Sequence, residues 1–241
     1  MRGIIAELGN HALGDIDKAK EQIRLAKECG AHYAKMQIID PLFVAKYGSM
    51  PLGFYELCAM SPEEYNECQE YGNQIGIEVF FSVFADFEKF REIDFHFYKI
   101  SGSQFLSMTR AQLMGWNTSR TIVSIPKIEE GLLMFKAPSI SEMQPLFVTP
   151  YHTDATEIVD FSTLESHRKI LGRAVGYSDH SLGIGNCITA IKEYGAPLIE
   201  KHFNPFGAQA YSGKIYRDCY HACPERQLET LCKAYREHYR E

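Results

Sequence analysis

The sequence has no apolar run long enough to cross a bilayer and no excess of positive charge. Its 241 residues include 25 Lys and Arg against 31 Asp and Glu, which gives a formal net charge of −6. A membrane-spanning helix needs about 20 consecutive apolar residues, and nucleic-acid binding usually leaves a basic patch or stripe. The composition therefore predicts a protein that binds neither a membrane nor a nucleic acid.

The sequence also lacks a disulfide framework and a secretory leader. Its seven cysteines are odd in number and scattered, mostly on apolar helix faces, which predicts buried free thiols in a reducing compartment. Cys219 and Cys223 lie close together in the sequence, which could indicate a metal site. A structural zinc site usually needs four grouped ligands, however, and no second cysteine pair accompanies them. The first residues enter a strand directly, without the architecture of a signal peptide. The expected location is the cytoplasm.

No linker or low-complexity segment divides the chain, so residues 1–241 are predicted to form one domain. The composition, 45% hydrophobic and 23% charged, is that of an ordinary globular protein. Apolar strand patterns and helical patterns alternate about eight times. Asp15, Ser61-Pro62 and Pro224 mark helix starts, and residues 38–60 are expected to form a long loop. Eight alternating units predict an α/β fold, a closed TIM (β/α)8 barrel.

The most informative stretch, residues 174–203, reads as strand, helix and strand. The first strand runs into Ser178-Asp179-His180, and the second ends at Glu200-Lys201-His202. Neighbouring parallel strands lie about 4.8 Å apart. His180 and His202 could therefore converge on one metal ion, with two backbone-bonded, partly buried histidines as the alternative.

Polar side chains end nearly every predicted strand, which a core-only interpretation would not predict. In a TIM barrel the active site forms at the C-terminal ends of the strands. The pattern therefore predicts one active site at that face. The residues concerned are Glu7, Lys35, Gln37, Ser82, Lys99, Ser124, Tyr151, Ser178, His180, Glu200 and His202.

Six short motifs, in the same order along the chain, resemble the sialic acid synthases or, more broadly, the nonulosonic acid synthases. They are Ile4-Ile5-Ala6-Glu7-Leu8-Gly9, Ala34-Lys35-Met36-Gln37, Ser61-Pro62-Glu63-Glu64-Tyr65, Tyr98-Lys99-Ile100, Gly176-Tyr177-Ser178-Asp179-His180-Ser181-Leu182-Gly183 and Glu200-Lys201-His202-Phe203. The resemblance implies a carbon–carbon bond-forming transferase of carbohydrate biosynthesis. Such an enzyme condenses phosphoenolpyruvate with an open-chain N-acyl hexosamine, such as N-acetylmannosamine. Phosphate leaves with C–O cleavage, and a divalent metal, Mn²⁺ or Mg²⁺, polarises the aldehyde.

The resemblance also implies roles for individual residues. His180 and His202 would hold the metal, and Lys35 and Lys99 would face the phosphate and carboxylate of phosphoenolpyruvate. The other residues expected to bind substrate are Gln37, Ser82, Ser124, Tyr151 and Ser178.

Three carboxylates are the expected catalytic residues. Glu7 and Asp218 would bind the sugar hydroxyls, since a carboxylate accepts several hydrogen bonds. Glu200 is expected to support the metal ligands or to transfer protons. Its alternative role is a structural ion pair with a barrel lysine such as Lys201 or Lys35.

Several positions depart from the family pattern. Val83 replaces a threonine that would bind phosphate, and Gly102 and Pro126 fall at positions where the family has other residues. A small antifreeze-like C-terminal domain, present in many members, is expected to be absent, and a homodimer is expected. Two alternatives stay open at this stage. One is a degenerate barrel that binds a sugar or metabolite without synthase activity, and the other is a different metal-dependent sugar aldolase or epimerase.

Overall fold

The computed structural model of the protein describes residues 1–46, 48–85, 97–101, 118–125, 142–148 and 159–240. The short helices predicted at residues 86–93 and 107–115 lie outside these ranges, as do Tyr151, Gly102 and Pro126.

Eight parallel strands close into a barrel in which each strand pairs with the next and the eighth pairs with the first. This confirms the predicted TIM barrel. The strands are β1 (Gly3–Gly9), β2 (Tyr33–Ile39), β3 (Glu78–Phe84), β4 (Tyr98–Ile100), β5 (Thr121–Ile125), β6 (Gln144–Val148), β7 (Gly176–Asp179) and β8 (Leu198–His202).

Side chains alternate between the barrel interior and the surrounding helical layer, as the two-residue period of a strand requires. Ile5, Phe80, Ile122, Leu146 and Leu198 form one buried cluster drawn from five strands, which fills the interior. The next residue along each of these strands faces outward. Positions two residues further along therefore point back inward, at the C-terminal mouth of the barrel.

Seven α-helices lie within the described residues. They are α1 (Ile16–Glu28), α2 (Pro41–Val44), α3 (Leu52–Cys58), α4 (Pro62–Ile75), α5 (Ser162–Leu171), α6 (Gly185–Lys192) and α7 (Glu225–Tyr239). Asp15 caps α1 by accepting from Lys18 N at 3.1 Å. Ser61 and Glu64 form a reciprocal capping box at the start of α4, and Gly76 ends that helix with φ of 77°. None of these helices is long and apolar enough to cross a membrane.

The expectation of an uninterrupted loop at residues 38–60 is wrong, because α2 and α3 form there. The Asp40 side chain caps α2, accepting from Leu42 N at 3.0 Å. Phe54 and Tyr55 of α3 are buried against Tyr216 in a separate cluster at the barrel mouth. After β8, the chain forms a small hairpin, β9 (Ala210–Tyr211) with β10 (Lys214–Ile215), and then a 3₁₀ turn at Arg217–Tyr220. The seven cysteines are free thiols, and all but Cys219 are buried.

Candidate active site

The structure brings most of the residues selected from the sequence together at the C-terminal mouth of the barrel. The register pairs Glu7 of β1 with Lys35 of β2 on one side and with His202 of β8 on the other. Ser82 pairs with Lys99, and Ser178 with Glu200. The strand ends therefore form one ring of polar side chains. Tyr151 lies outside the described residues.

Glu7 and Lys35 form an ion pair that is almost completely buried, with side-chain exposures of 1% and 3%. The other carboxylate oxygen of Glu7 accepts from Gly9 N at 3.0 Å and from Gln37 Nε2 at 3.1 Å. Lys35 Nζ also donates to Ser82 Oγ at 3.2 Å. One carboxylate is therefore held by an ammonium group, an amide side chain and a backbone N–H.

Glu200 lies on β8, the strand that pairs with β1 and its Glu7. Its Oε1 atom pairs with Lys99 and accepts from Ser178 Oγ at 2.8 Å. Its Oε2 atom lies 3.7 Å from Lys35 Nζ and has no hydrogen-bond partner among the described residues. The alternative prediction that Glu200 forms an ion pair with Lys201 is wrong. That lysine follows Glu200 on the strand and therefore points outward, to Asp179.

Burial and mutual charge set the protonation of this ring. Burial and the charge of Lys99, opposed by Glu200, together lower the pKa of Lys35 to about 7. Burial would raise the pKa of Glu200, but Lys35 and Lys99 hold it below its ordinary value. Glu200 is therefore ionised at neutral pH, whereas Lys35 can lose its proton near pH 7.

His180 and His202 are neighbours at the ends of β7 and β8, with ring centroids 5.3 Å apart and planes inclined by 41°. Burial lowers the pKa of His202 well below its ordinary value, and nearby cationic groups lower it further. Its Nδ1 atom is buried without a hydrogen-bond partner in the described part of the chain. A neutral imidazole with an unused ring nitrogen has the chemistry of a metal ligand.

The residues described contain no group of three or more His, Cys, Asp or Glu side chains able to hold a metal ion. His180 and His202 would therefore supply two ligands, and a divalent ion held between them would need water or substrate oxygens at its other positions. His221 lies beside them, with its ring centroid 6.3 Å from that of His180. Sequence spacing gave no sign of His221, because its position depends on the pairing of Cys223 with the end of β8.

A chain of hydrogen bonds joins Asp218 to the Glu7 side of the ring. Tyr216 OH donates to Asp218 Oδ2 at 2.5 Å, and Asn10 Nδ2 lies 3.1 Å from Tyr216 OH. Asn10 Nδ2 also donates to Gln37 Oε1 at 2.9 Å, and Gln37 in turn binds Glu7. Asp218 is 6% exposed, so it is not the solvated loop acid that the sequence left as an alternative. Sequence analysis missed Tyr216, which lies only two residues before Asp218.

The serines selected for phosphate binding are all buried in the mouth. Ser82, Ser124 and Ser178 are at most 2% exposed. Val83, in contrast, packs in the outer apolar layer between strands and helices. The concern that Val83 removes a phosphate contact is therefore wrong, because this residue does not face the site.

Comparison with protein families gives a match to the model of the NeuB family over residues 22–240. N-acetylneuraminate-9-phosphate synthase of Homo sapiens is 25% identical, with 83% of this chain and 61% of the relative covered. Pseudaminic acid synthase of Campylobacter jejuni is 30% identical, with 83% and 64% covered. The chain thus spans about three fifths of the length of these curated relatives.

Solved structures share the barrel. The sialic acid synthetase of Leptospira borgpetersenii superposes with a TM-score of 0.78 at 20% identity, covering 99% of this chain and 84% of that one. A truncated 3-deoxy-D-arabino-heptulosonate 7-phosphate synthase of Thermotoga maritima gives 0.69 at 13% identity, covering 97% and 85%. At these identities the likeness establishes the fold.

Proposed function

Since the chain belongs to the NeuB family, we propose that it condenses phosphoenolpyruvate with an open-chain N-acyl hexosamine and releases phosphate. The product would be a nonulosonic acid, formed as in an N-acetylneuraminate synthase. The observation that carries the proposal is the convergence of Lys35, Lys99, Glu7 and Glu200 beside His180 and His202. These groups match the phosphate, carboxylate, hydroxyl and aldehyde functions of the two substrates.

Lys35 and Lys99 are the proposed sites for the anionic groups of phosphoenolpyruvate. Both are buried, at 3% and 7% exposure, so a phosphate or carboxylate reaching them meets little screening by water. Lysine binds such groups as a point charge. In the structure Lys35 is paired with Glu7 and Glu200, and Lys99 with Glu200, so a bound substrate would share these ammonium groups with the carboxylates. Ser82, Ser124 and Ser178 would add hydroxyl donors, and Tyr151 is proposed to border the sugar.

His180 and His202 are the residues that would hold a divalent metal, because His202 is neutral and keeps a buried ring nitrogen unused. When bound, Mn²⁺ or Mg²⁺ would supply a Lewis acid that polarises the sugar aldehyde. Two histidines discriminate poorly between these metals.

The remaining groups orient the sugar and move protons. Glu7 and Asp218 would accept hydrogen bonds from sugar hydroxyls, held apart at fixed positions by Gln37, Asn10 and Tyr216. In the proposed reaction, carbon 3 of phosphoenolpyruvate attacks the aldehyde carbon, water adds at carbon 2, and phosphate leaves with its bridging oxygen. Glu200 is the proposed proton-transfer residue, because it is ionised and its Oε2 atom lies 3.7 Å from Lys35 Nζ, although Lys35 and Lys99 lower its pKa and so weaken it as a base.

We further propose that residues 1–241 form one synthase domain that acts on small molecules. A homodimer and a cytoplasmic location stay predictions.

Release of inorganic phosphate from phosphoenolpyruvate tests this function directly. With Mn²⁺ and N-acetylmannosamine present, release should depend on the sugar. Phosphate release without sugar would indicate a phosphatase, and tight sugar binding with no release would indicate a binding protein. Cleavage of N-acetylneuraminate in the absence of phosphoenolpyruvate would favour an aldolase.

A further inference from the structure

Outside the mouth, between the barrel wall and the helices, Lys201 and Asp179 form an ion pair with no solvent exposure on either side chain. Lys201 Nζ lies 2.9 Å from Asp179 Oδ2. The two residues come directly before His202 and His180 in the sequence. On neighbouring strands, Asp179 and Lys201 are also register partners. The pair therefore joins the two strand ends that carry the histidines, on the opposite side of the wall.

Asp179 also fixes the chain on both sides of His180. Its Oδ1 atom accepts from Tyr177 OH at 2.8 Å, from Ser181 Oγ at 2.7 Å and from Ser181 N at 3.1 Å. Lys201 Nζ donates to the carbonyl of Ser181 at 2.5 Å. Residues before and after His180 are thereby bound to one carboxylate and one ammonium group.

Stability alone does not explain the buried ion pair between Asp179 and Lys201. Taking two charges out of water costs several kcal/mol per ion, and well-packed apolar residues often replace such pairs without loss. An apolar pair would fill the space behind the wall. It would not supply the acceptors and donor that hold Ser181 and define the turn carrying His180.

We propose that Asp179 and Lys201 are positioning residues whose ion pair holds the 179–181 turn so that the His180 ring stays beside His202. The part that concerns metal binding rests on the proposed function. The part that concerns the position of His180 does not.

The decisive variant is the neutral double replacement Asp179→Asn with Lys201→Met, which leaves no uncompensated charge. Leu228→Ala is the matched control, since Leu228 is a fully buried residue of α7 and makes none of the hydrogen bonds that hold the 179–181 turn. Binding of manganese chloride alone, followed by electron paramagnetic resonance, gives the Kd. We expect the double variant to raise the Kd at least tenfold and Leu228→Ala to leave it within twofold. Ser181→Ala, which removes the hydroxyl that donates to Asp179 and accepts from Asn186 without burying a charge, should raise it about threefold.

Hydrogen exchange of metal-free protein provides the second readout. Amides of residues 178–186 should exchange at least tenfold faster in the double variant and at the wild-type rate in the control. Unchanged exchange and unchanged Kd in a folded double variant would overturn the proposal. If the double variant does not fold, the same two measurements on Ser181→Ala decide. If wild type binds no manganese, the metal part of the proposed function fails, and the exchange rates still decide whether the ion pair positions the turn.

Discussion

Glu200 and Lys201 are adjacent on β8 and belong to two different ion-pair systems, one inside the barrel mouth and one behind its wall. The inner system consists of Lys35, Lys99, Glu7 and Glu200. It retains an unused hydrogen-bond acceptor, because Glu200 Oε2 lacks a hydrogen-bond partner among the described residues. The outer system is saturated, since both oxygens of Asp179 accept bonds. We therefore propose that buried charges of the same types bind ligands on one side of the wall and hold the backbone in position on the other.

The largest effect should come from breaking the outer pair. Lys201→Met leaves Asp179 charged and buried, which should lower the free energy of unfolding by about 3–5 kcal/mol. The melting temperature should fall by roughly 10 °C. Urea denaturation of wild type, Lys201→Met and the neutral double variant measures this, with the double variant losing less. A loss below about 1 kcal/mol in Lys201→Met would show that the outer pair does not matter for stability.

Breaking the inner system should instead damage activity. Lys35→Met should lower kcat/KM for phosphoenolpyruvate by about 100-fold, or about 3 kcal/mol of transition-state binding. Glu7 keeps its bonds to Gly9 N and Gln37 Nε2, so the stability loss should be smaller than for Lys201→Met. Steady-state kinetics and urea denaturation on the same preparation check both. Equal stability losses in the two variants would contradict the division into a ligand side and a structural side.

The inner system should also respond to pH. Burial lowers the pKa of Lys35 from 10.5 to about 7. The ammonium group proposed to bind the anion is lost above pH 7, so kcat/KM for phosphoenolpyruvate should fall by up to about tenfold per pH unit there. The arginine of Lys35→Arg stays charged, so this variant, although less active, should give a flatter profile. A wild-type profile that stays flat from pH 7 to 9 would argue against the role of Lys35.

Stability should change in the opposite direction over the same range. Between about pH 7 and 10.5 the unfolded chain keeps a proton on Lys35 that the folded protein has lost. Unfolding then binds a proton, so the contribution of this group to stability rises with pH. The free energies of unfolding of wild type and Lys35→Met should be measured at pH 7 and pH 9. Relative to Lys35→Met, wild type should be more stable at pH 9 than at pH 7.

The smallest effect should come from the exposed start of α4, where the capping hydrogen bonds join Ser61 and Glu64 and involve neither ion-pair system. Ser61→Ala removes the capping box of α4 and should cost about 1 kcal/mol of stability. Activity should remain at the wild-type level. Reduced activity at permissive temperature would mean that general loss of stability, rather than the inner charges, explains the other variants.

The sequence predicted the barrel and most of the mouth because both follow from local periodicity. Once Glu200 and His202 are placed inward, the strand period requires Lys201 to point outward, so its pairing with Glu200 could have been rejected beforehand. By the same period, Val83 points outward because it follows the inward-facing Ser82, so it does not face the site. Tyr216 and His221 could not be found this way, since their positions depend on contacts across the chain with Asn10 and with the end of β8. The helix α3 forms because Phe54 and Tyr55 pack against Tyr216, a contact that no local pattern shows.

The most direct test of the proposed reaction is phosphorus NMR of phosphate released from phosphoenolpyruvate labelled with ¹⁸O in the bridging position. With N-acetylmannosamine and Mn²⁺ present, all released phosphate should carry the label, because the C–O bond breaks. Without the sugar, no phosphate should appear. Unlabelled phosphate, or release that ignores the sugar, would contradict the assignment of this barrel as a synthase.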